Sequence, residues 1–399
     1  MEPFMRLAAV LIVATLAGIA SPALAAPAGG SPKPEGWVQI TPAPLRLKGH
    51  TYKPTCSAAP GTDPTYSFWY RKGIADGLVV FFNGGGACWS DGTCDKPRLA
   101  GSRAMFAGEK AESVFKSELL PGDGPERMGG IFDSTNARNP VRDWSVLFVS
   151  YCTGDVHSGS NTAHYRNPET GKPFTIEHRG WDNMQVITEW MRVHVPQPSR
   201  LLVSGSSAGA YGAATHYATL RALYPRARSV FLGDSGMGVS TPSFERLRNK
   251  NWNYQLPVSV FGPQAQLTPD AEVVARLAAH FPQDRFAQYT RAHDAVQRDF
   301  YAEMGAPRGC MVWTMAMTRE LARRQRTPNV RSYVARGDGH TILRSPLVYS
   351  EQSGGQPFVD WLNQLLNGPM PANQACTNCL TDPASCAPQP AATGAKRQG

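Results

Sequence analysis

A serine in a Gly-x-Ser-x-Gly turn, a glycine run ending in Cys-Trp, and a histidine behind a Gly-Asp-Gly turn are the residues here whose types and spacing could do chemistry. A serine hydroxyl is a weak nucleophile. It works only where a tight turn exposes it beside a general base and near N–H groups that hold an oxyanion. Gly205-Ser-Ser-Ala-Gly209 follows the apolar run Arg200-Leu-Leu-Val-Ser204 and opens a helix-compatible segment ending at Pro225. Strand, sharp turn and helix in that order are a nucleophile elbow, with Ser207 as the nucleophile. A small-residue turn in an ordinary α/β protein is the bland alternative.

Asn83-Gly-Gly-Gly-Ala-Cys-Trp89 follows a second apolar run, Gly77–Phe82. Successive glycines let N–H groups converge on one anion, so Gly85 and Gly86, with Ala208 after the nucleophile, are the expected oxyanion donors. A phosphate loop is disfavoured, because no Lys-Ser/Thr pair follows and the dinucleotide spacing is not met.

Chain order then asks for an acid and a histidine downstream. His216 and His280 fall within predicted helices, whereas His340 follows the strand-like Val330–Ala335 and the turn Gly337-Asp-Gly339, and is the expected base. Asp294, after the run Arg285–Thr290, is the expected acid. Asp234, one strand earlier, is its competitor, and helix capping is the structural alternative for Asp294. Gly233-Asp-Ser-Gly236 has the look of a trypsin-type serine signature, but no all-β framework surrounds it.

Asn83–Trp89, Tyr151-Cys-Thr-Gly-Asp-Val-His-Ser-Gly159, Gly205–Gly212, Asp234-Ser-Gly236 and Gly339-His-Thr-Ile342 together resemble the pectin acetylesterase and Notum family, in the same order. The resemblance implies an α/β-hydrolase fold and extracellular carboxylester hydrolysis without cofactor or metal. It carries a triad onto Ser207, Asp294 and His340, and an oxyanion hole onto Gly85, Gly86 and Ala208. Trp89 and His157, where this chain departs from common family patterns, are expected at the substrate pocket. The implied partner is an acylated polysaccharide such as pectin, with acetyl the expected acyl group. A lipase or protein deacylase of the same fold, and a silent secreted carbohydrate-binding protein, are the alternatives. Neither nucleic acid nor a membrane is an expected partner, and the sequence leaves the oligomeric state open.

The elements that must position these residues are six candidate parallel strands, near 78–82, 145–150, 200–204, 229–233, 285–290 and 330–335. Helical patterns run over Gly180–His194, Ala208–Tyr224, Pro269–Phe281 behind a Thr268 cap, and Met311–Arg326. Alternation of this kind predicts a doubly wound, mostly parallel α/β sheet with helices on both faces and ligands at the strands' carboxyl ends. One esterase domain over 26–386 is expected, with an insertion over the site near Ser102–Pro140 and a disordered tail over 387–399.

Residues 1–25 read as a secretory signal: one basic residue, an apolar stretch too short to span a bilayer comfortably, and a small-residue Ala23-Leu-Ala25 cleavage site. The expected location is extracellular or periplasmic. The formal net charge of +9 favours encounter with acidic polymers and says little about reaction. Eight cysteines behind a secretory signal read as disulfides. Cys88 with Cys94 would pin the glycine loop, Cys310, Cys376, Cys379 and Cys386 would form two bridges, and Cys56 with Cys152 completes the count. Spacing alone does not fix these pairings. A zinc site at Cys376-Thr-Asn-Cys379 is the rival, and it lacks a second ligand pair.

Overall fold

All six predicted strands lie side by side in a nine-stranded sheet of the computed structural model, which describes residues 34–95, 97–98, 114–381 and 386. In chain order the sheet strands are β1 (Val38–Ile40), β2 (Phe68–Arg71), β3 (Gly77–Phe82), β4 (Ser145–Val149), β5 (Arg200–Ser206), β6 (Arg228–Asp234), β7 (Arg285–Arg291), β8 (Val330–Ala335) and β9 (Gln374–Ala375). Their spatial order is β1-β2-β4-β3-β5-β6-β7-β8-β9. Only β2 runs against its neighbours; every other pairing is parallel. The continuous apolar runs of β3 and β5 are explained by this position, since central parallel strands are covered on both faces.

The covering follows the two-residue period of a strand. Leu78, Val80, Phe82, Leu201, Val203 and Phe231 share one cluster with Met184, Ile187 and Met191 of α1 (Gly180–His194), Tyr217 of α2 (Ala208–Leu223), and residues of α3 (Pro242–Trp252) and α4 (Asp270–His280). Val79, Phe81, Leu202, Val230 and Leu232 point the other way. There the helical spacing of Phe358, Trp361, Leu362 and Leu365 buries one face of a further helix, Phe358–Asn367. Between them in sequence come α5 (Ala295–Glu303) and α6 (Cys310–Arg324), so the Phe358–Asn367 helix is α7.

Thr268 is not the cap of α4. Pro269 holds that position without a side-chain bond, and the Asp270 N–H donates instead to Glu245 Oε1 on α3 at 3.2 Å. Of the expected insertion, residues 102–113 lie outside the described residues. Its described part backs the sheet and the glycine loop: Ile131 and Phe132 pack on the α7 side, and Phe115 packs behind Cys88. The signal segment 1–25 and the tail 387–399 also lie outside the described residues.

Four disulfides join Cys56 to Cys152, Cys88 to Cys94, Cys310 to Cys386 and Cys376 to Cys379. The last bridge takes both thiols of the rival zinc reading. No helix among the described residues is long and apolar enough to cross a membrane.

Candidate active site

The sheet order reverses around β3, so the loops leaving β3 and β5 sit next to each other at the carboxyl edge, where open α/β sheets bind ligands. The β5 loop is one residue long. Ser207 takes φ 59°, ψ −127°, a strained conformation for a residue with a side chain, and its N–H donates to the Asp234 carbonyl at 2.7 Å. The turn closes because Gly209 has no side chain: a Cβ there would run into Phe82 O on the neighbouring strand. Ala208 begins α2, so its N–H has no acceptor within the helix.

The β3 loop is held from behind. Lys116 N–H donates to Gly85 O at 2.7 Å, Ala87 N–H to Val114 O at 3.1 Å, and the Tyr151 hydroxyl to Gly86 O at 2.8 Å. Gly86 needs its glycine twice over, for φ +75° and because a Cβ would meet Val114 O. With the carbonyls engaged on that side, the Gly85 and Gly86 N–H groups find no acceptor among the described residues. Cys88 adds three anchors: its bridge to Cys94, its N–H to Gly154 O at 2.9 Å, and its carbonyl accepting from Trp252 Nε1 at 2.7 Å.

His340 lies on the loop after β8, its side chain almost wholly buried. Its Nδ1 sits 2.8 and 2.9 Å from the two carboxylate oxygens of Asp294, at the end of β7. A ring nitrogen facing a carboxylate carries the proton, which leaves the lone pair on Nε2. Nε2 is buried, has no partner among the described residues, and belongs to a residue that shares one pocket with Ser207, Gly86 and Ala208.

Asp294 also caps α5, accepting from Gln297 N at 3.0 Å and from Gln297 Nε2 at 2.9 Å. The capping alternative therefore holds of the same carboxylate that meets His340 Nδ1. Asp234 is placed differently. Its buried carboxylate accepts from Ser206 Oγ at 2.5 Å, Ile342 N at 3.0 Å and Leu343 N at 3.0 Å, so it straps β5 to the His340 loop with no hydrogen bond to the imidazole. Ser235 helps from the next position, its Oγ accepting from Thr341 N at 3.0 Å.

The pocket has a volume of about 60 Å³. Val156, Val239, Phe244 and Trp313 form apolar walls, and Val296, Gln297, Phe300 and Met304 contribute one side of α5 and its end. Trp89 and His157, expected at the substrate, are not on its surface. Trp89 stands edge-on behind Phe244, ring centroids 4.9 Å apart. His157 lies beneath the β3 loop, its Nε2 2.8 Å from Asn83 O and its ring edge-on to Phe82. Burial pushes its pKa down to about 3, so it is a neutral structural group. Gly85 lies behind Gly86 rather than on the pocket surface.

The Tyr151–Gly159 run forms a scaffold. Asp155 accepts from Thr153 Oγ1, His157 N, Gly159 N and Gly180 N, which ties the β4 loop to the start of α1. Burial raises its pKa to about 6 against those donors. Sequence reading missed Gln297, although Asp-x-x-Gln ahead of a helix is a capping-box pattern that points to it. The walls from Val239 to Trp313 carry no linear signal, because they meet only in three dimensions.

A mostly parallel sheet with this strand order, an elbow after β5 and a histidine after β8 define the α/β-hydrolase class. The sequence pattern of the pectinacetylesterase family matches residues 53–291, and the chain belongs to that family, one named for a carboxylic ester hydrolase. Pectin acetylesterase 7 of Arabidopsis thaliana is 29% identical over 174 residues, 43% of this chain. The match spans about two fifths of that relative's length, 39%. Two crystal structures of the Wnt deacylase Notum from Drosophila are 17% and 19% identical, with TM-scores of 0.56 and 0.55. Each alignment covers 85% of this chain, with 97% and 96% of the Notum chains, a likeness of fold.

Proposed function

We propose that the chain is a secreted serine carboxylesterase that removes short acyl groups, acetyl first among them, from a polysaccharide. The observation that carries the reading is the Asp294-His340 pair, whose free Nε2 faces the pocket that also holds Ser207 on its elbow. Nε2 takes the Ser207 proton as Oγ bonds to the ester carbonyl carbon. Negative charge collects on the carbonyl oxygen, for which the Gly86 and Ala208 N–H groups at the pocket are the donors. The C–O bond to the sugar then breaks, and the sugar oxygen takes the proton from Nε2. Water, deprotonated by Nε2 in turn, cleaves the acyl-enzyme and restores Ser207.

Acyl size follows from volume. A pocket of about 60 Å³ is small for a long apolar chain. That favours acetyl to butyryl. A second reading, a deacylase of longer apolar chains, is favoured by the walls of Phe244, Phe300, Met304 and Trp313. A nitrophenyl ester series together with acetylated pectin and xylan separates them. The first reading expects rates to fall steeply between C2 and about C6; rates climbing to C8 or beyond overturn it in favour of the second. Absence of a fluorophosphonate adduct on Ser207 would mark an inactive binding protein.

A further inference from the structure

Behind the acyl pocket, and sharing Tyr211 and Asp270 with it, lies a smaller chamber of about 10 Å³ lined also by Thr215, Tyr254 and Arg324. Arg324, near the end of α6, is 1% exposed. Its Nη2 donates to Met237 O at 2.6 Å, while Nε and Nη1, both buried, have no acceptor among the described residues. A buried guanidinium with two unanswered donors is among the costliest arrangements in a protein interior, unless something with electron pairs faces it.

The neighbouring carboxylates, Glu320 first among them, act on it only through space, with no hydrogen bond to Nε or Nη1. Asp270 is held by Arg248 and Tyr254. Glu245 accepts from Ser240 Oγ and the Asp270 N–H, and Glu320 Oε2 stands 3.4 Å from Arg323 with no hydrogen bond among the described residues. Burial lowers the Arg324 pKa to about 10, which still leaves it charged at neutral pH. The chamber has room for a small particle beside the guanidinium.

We propose that this chamber is a binding site for a single monatomic anion, a halide such as chloride, ligated by the Arg324 guanidinium. A charged acceptor meets a buried cation more strongly than a neutral one does. Because Tyr211 and Asp270 line both cavities, the ion also braces the floor of the acyl pocket.

The test uses the whole protein and does not depend on the ester reaction. Crystals soaked in sodium bromide should give an anomalous difference peak beside Arg324. Protein moved from sodium gluconate to sodium chloride at matched ionic strength should melt about 2 °C higher or more, and Arg324→Met should lose that shift. No bromide peak means an ordered water only and overturns the proposal. So does a peak with no chloride-dependent melting shift, which marks an adventitious ion only. A folded Arg324→Met protein that keeps the full shift overturns it as well; if that variant does not fold, the bromide peak and the wild-type melting shift decide.

Discussion

In the proposed mechanism the carboxylate of Asp294 has two tasks, and two substitutions separate them. Asparagine caps a helix about as well as aspartate but cannot stabilise a charged imidazole. Asp294→Asn should therefore keep its melting temperature while turnover falls by about 10²- to 10⁴-fold. Asp294→Ala should lose that activity and in addition about 1 kcal/mol of stability in urea unfolding, the value of a lost cap. Asp234→Asn is expected to reverse the pattern, because it disturbs a buried strap rather than the imidazole: stability falls more than turnover. If Asp234→Asn proves the more damaging to turnover, the acid has been misassigned. Ser207→Ala should abolish ester hydrolysis with folding intact, since removing one Oγ leaves little cavity. A purified Ser207→Ala protein retaining near-normal turnover would refute its role as nucleophile. At this scale the sequence was most legible in placement: Ser207 on the turn after β5 and His340 on the loop after β8 stand where the strand and turn patterns put them. It was least legible at Trp89 and His157, whose motif positions suggested substrate contact. Both are buried aromatic side chains, and whether such a ring faces a pocket or its underside depends on the packing of α3 and β3, which no local pattern encodes.

The β3 loop is an element with almost no side chains of its own, so its shape is imposed by neighbours. The Cys88-Cys94 bridge is the covalent one, and it closes so short a loop that its effect on global stability should be modest. Its effect on geometry should be larger. Replacing both cysteines by serine is expected to lower turnover about tenfold with little change in KM, since a misplaced oxyanion donor weakens only the transition state. A tenfold rise in KM with turnover unchanged would mean that the loop binds substrate instead. The six expected strands and four expected helices were legible to within a residue or two, because the centres of β3 and β5 are buried apolar runs and α1 buries one face, whereas β1, β2, β9, α3 and α7 were not read. Boundaries set by a distant partner were not. Thr268 reads as a cap until Glu245, on another helix, takes the first N–H of α4.

The whole molecule keeps several titratable groups dry. His216, stacked on Phe82 and bonded through Nε2 to His157 O, has its pKa pushed down to about 4 by burial. An unfolded chain would hold that proton below about 6.5. The native state is therefore favoured above that pH, and the advantage is lost as pH falls from about 6.5 towards 4. His216→Gln, which can still donate to the His157 carbonyl, removes the liability. Its stability relative to the parent, measured by urea unfolding between pH 7 and 4.5, should improve on acidification by up to about 1.4 kcal/mol per pH unit. A difference independent of pH would show that His216 titrates normally in the fold. Asp234 binds the molecule in a different sense, that of time. Its carboxylate sits at the end of β6, and two of its three donors are the N–H groups of residues more than a hundred positions further on, Ile342 and Leu343. A nascent chain that has delivered β3 to β6 can pair those strands, yet closing them would seal in a carboxylate short of its partners. Completion of the turn at Ser207 thus waits on almost the last strand loop to be synthesised, since Asp234, whose carbonyl holds the Ser207 N–H, gains two of its carboxylate donors only there.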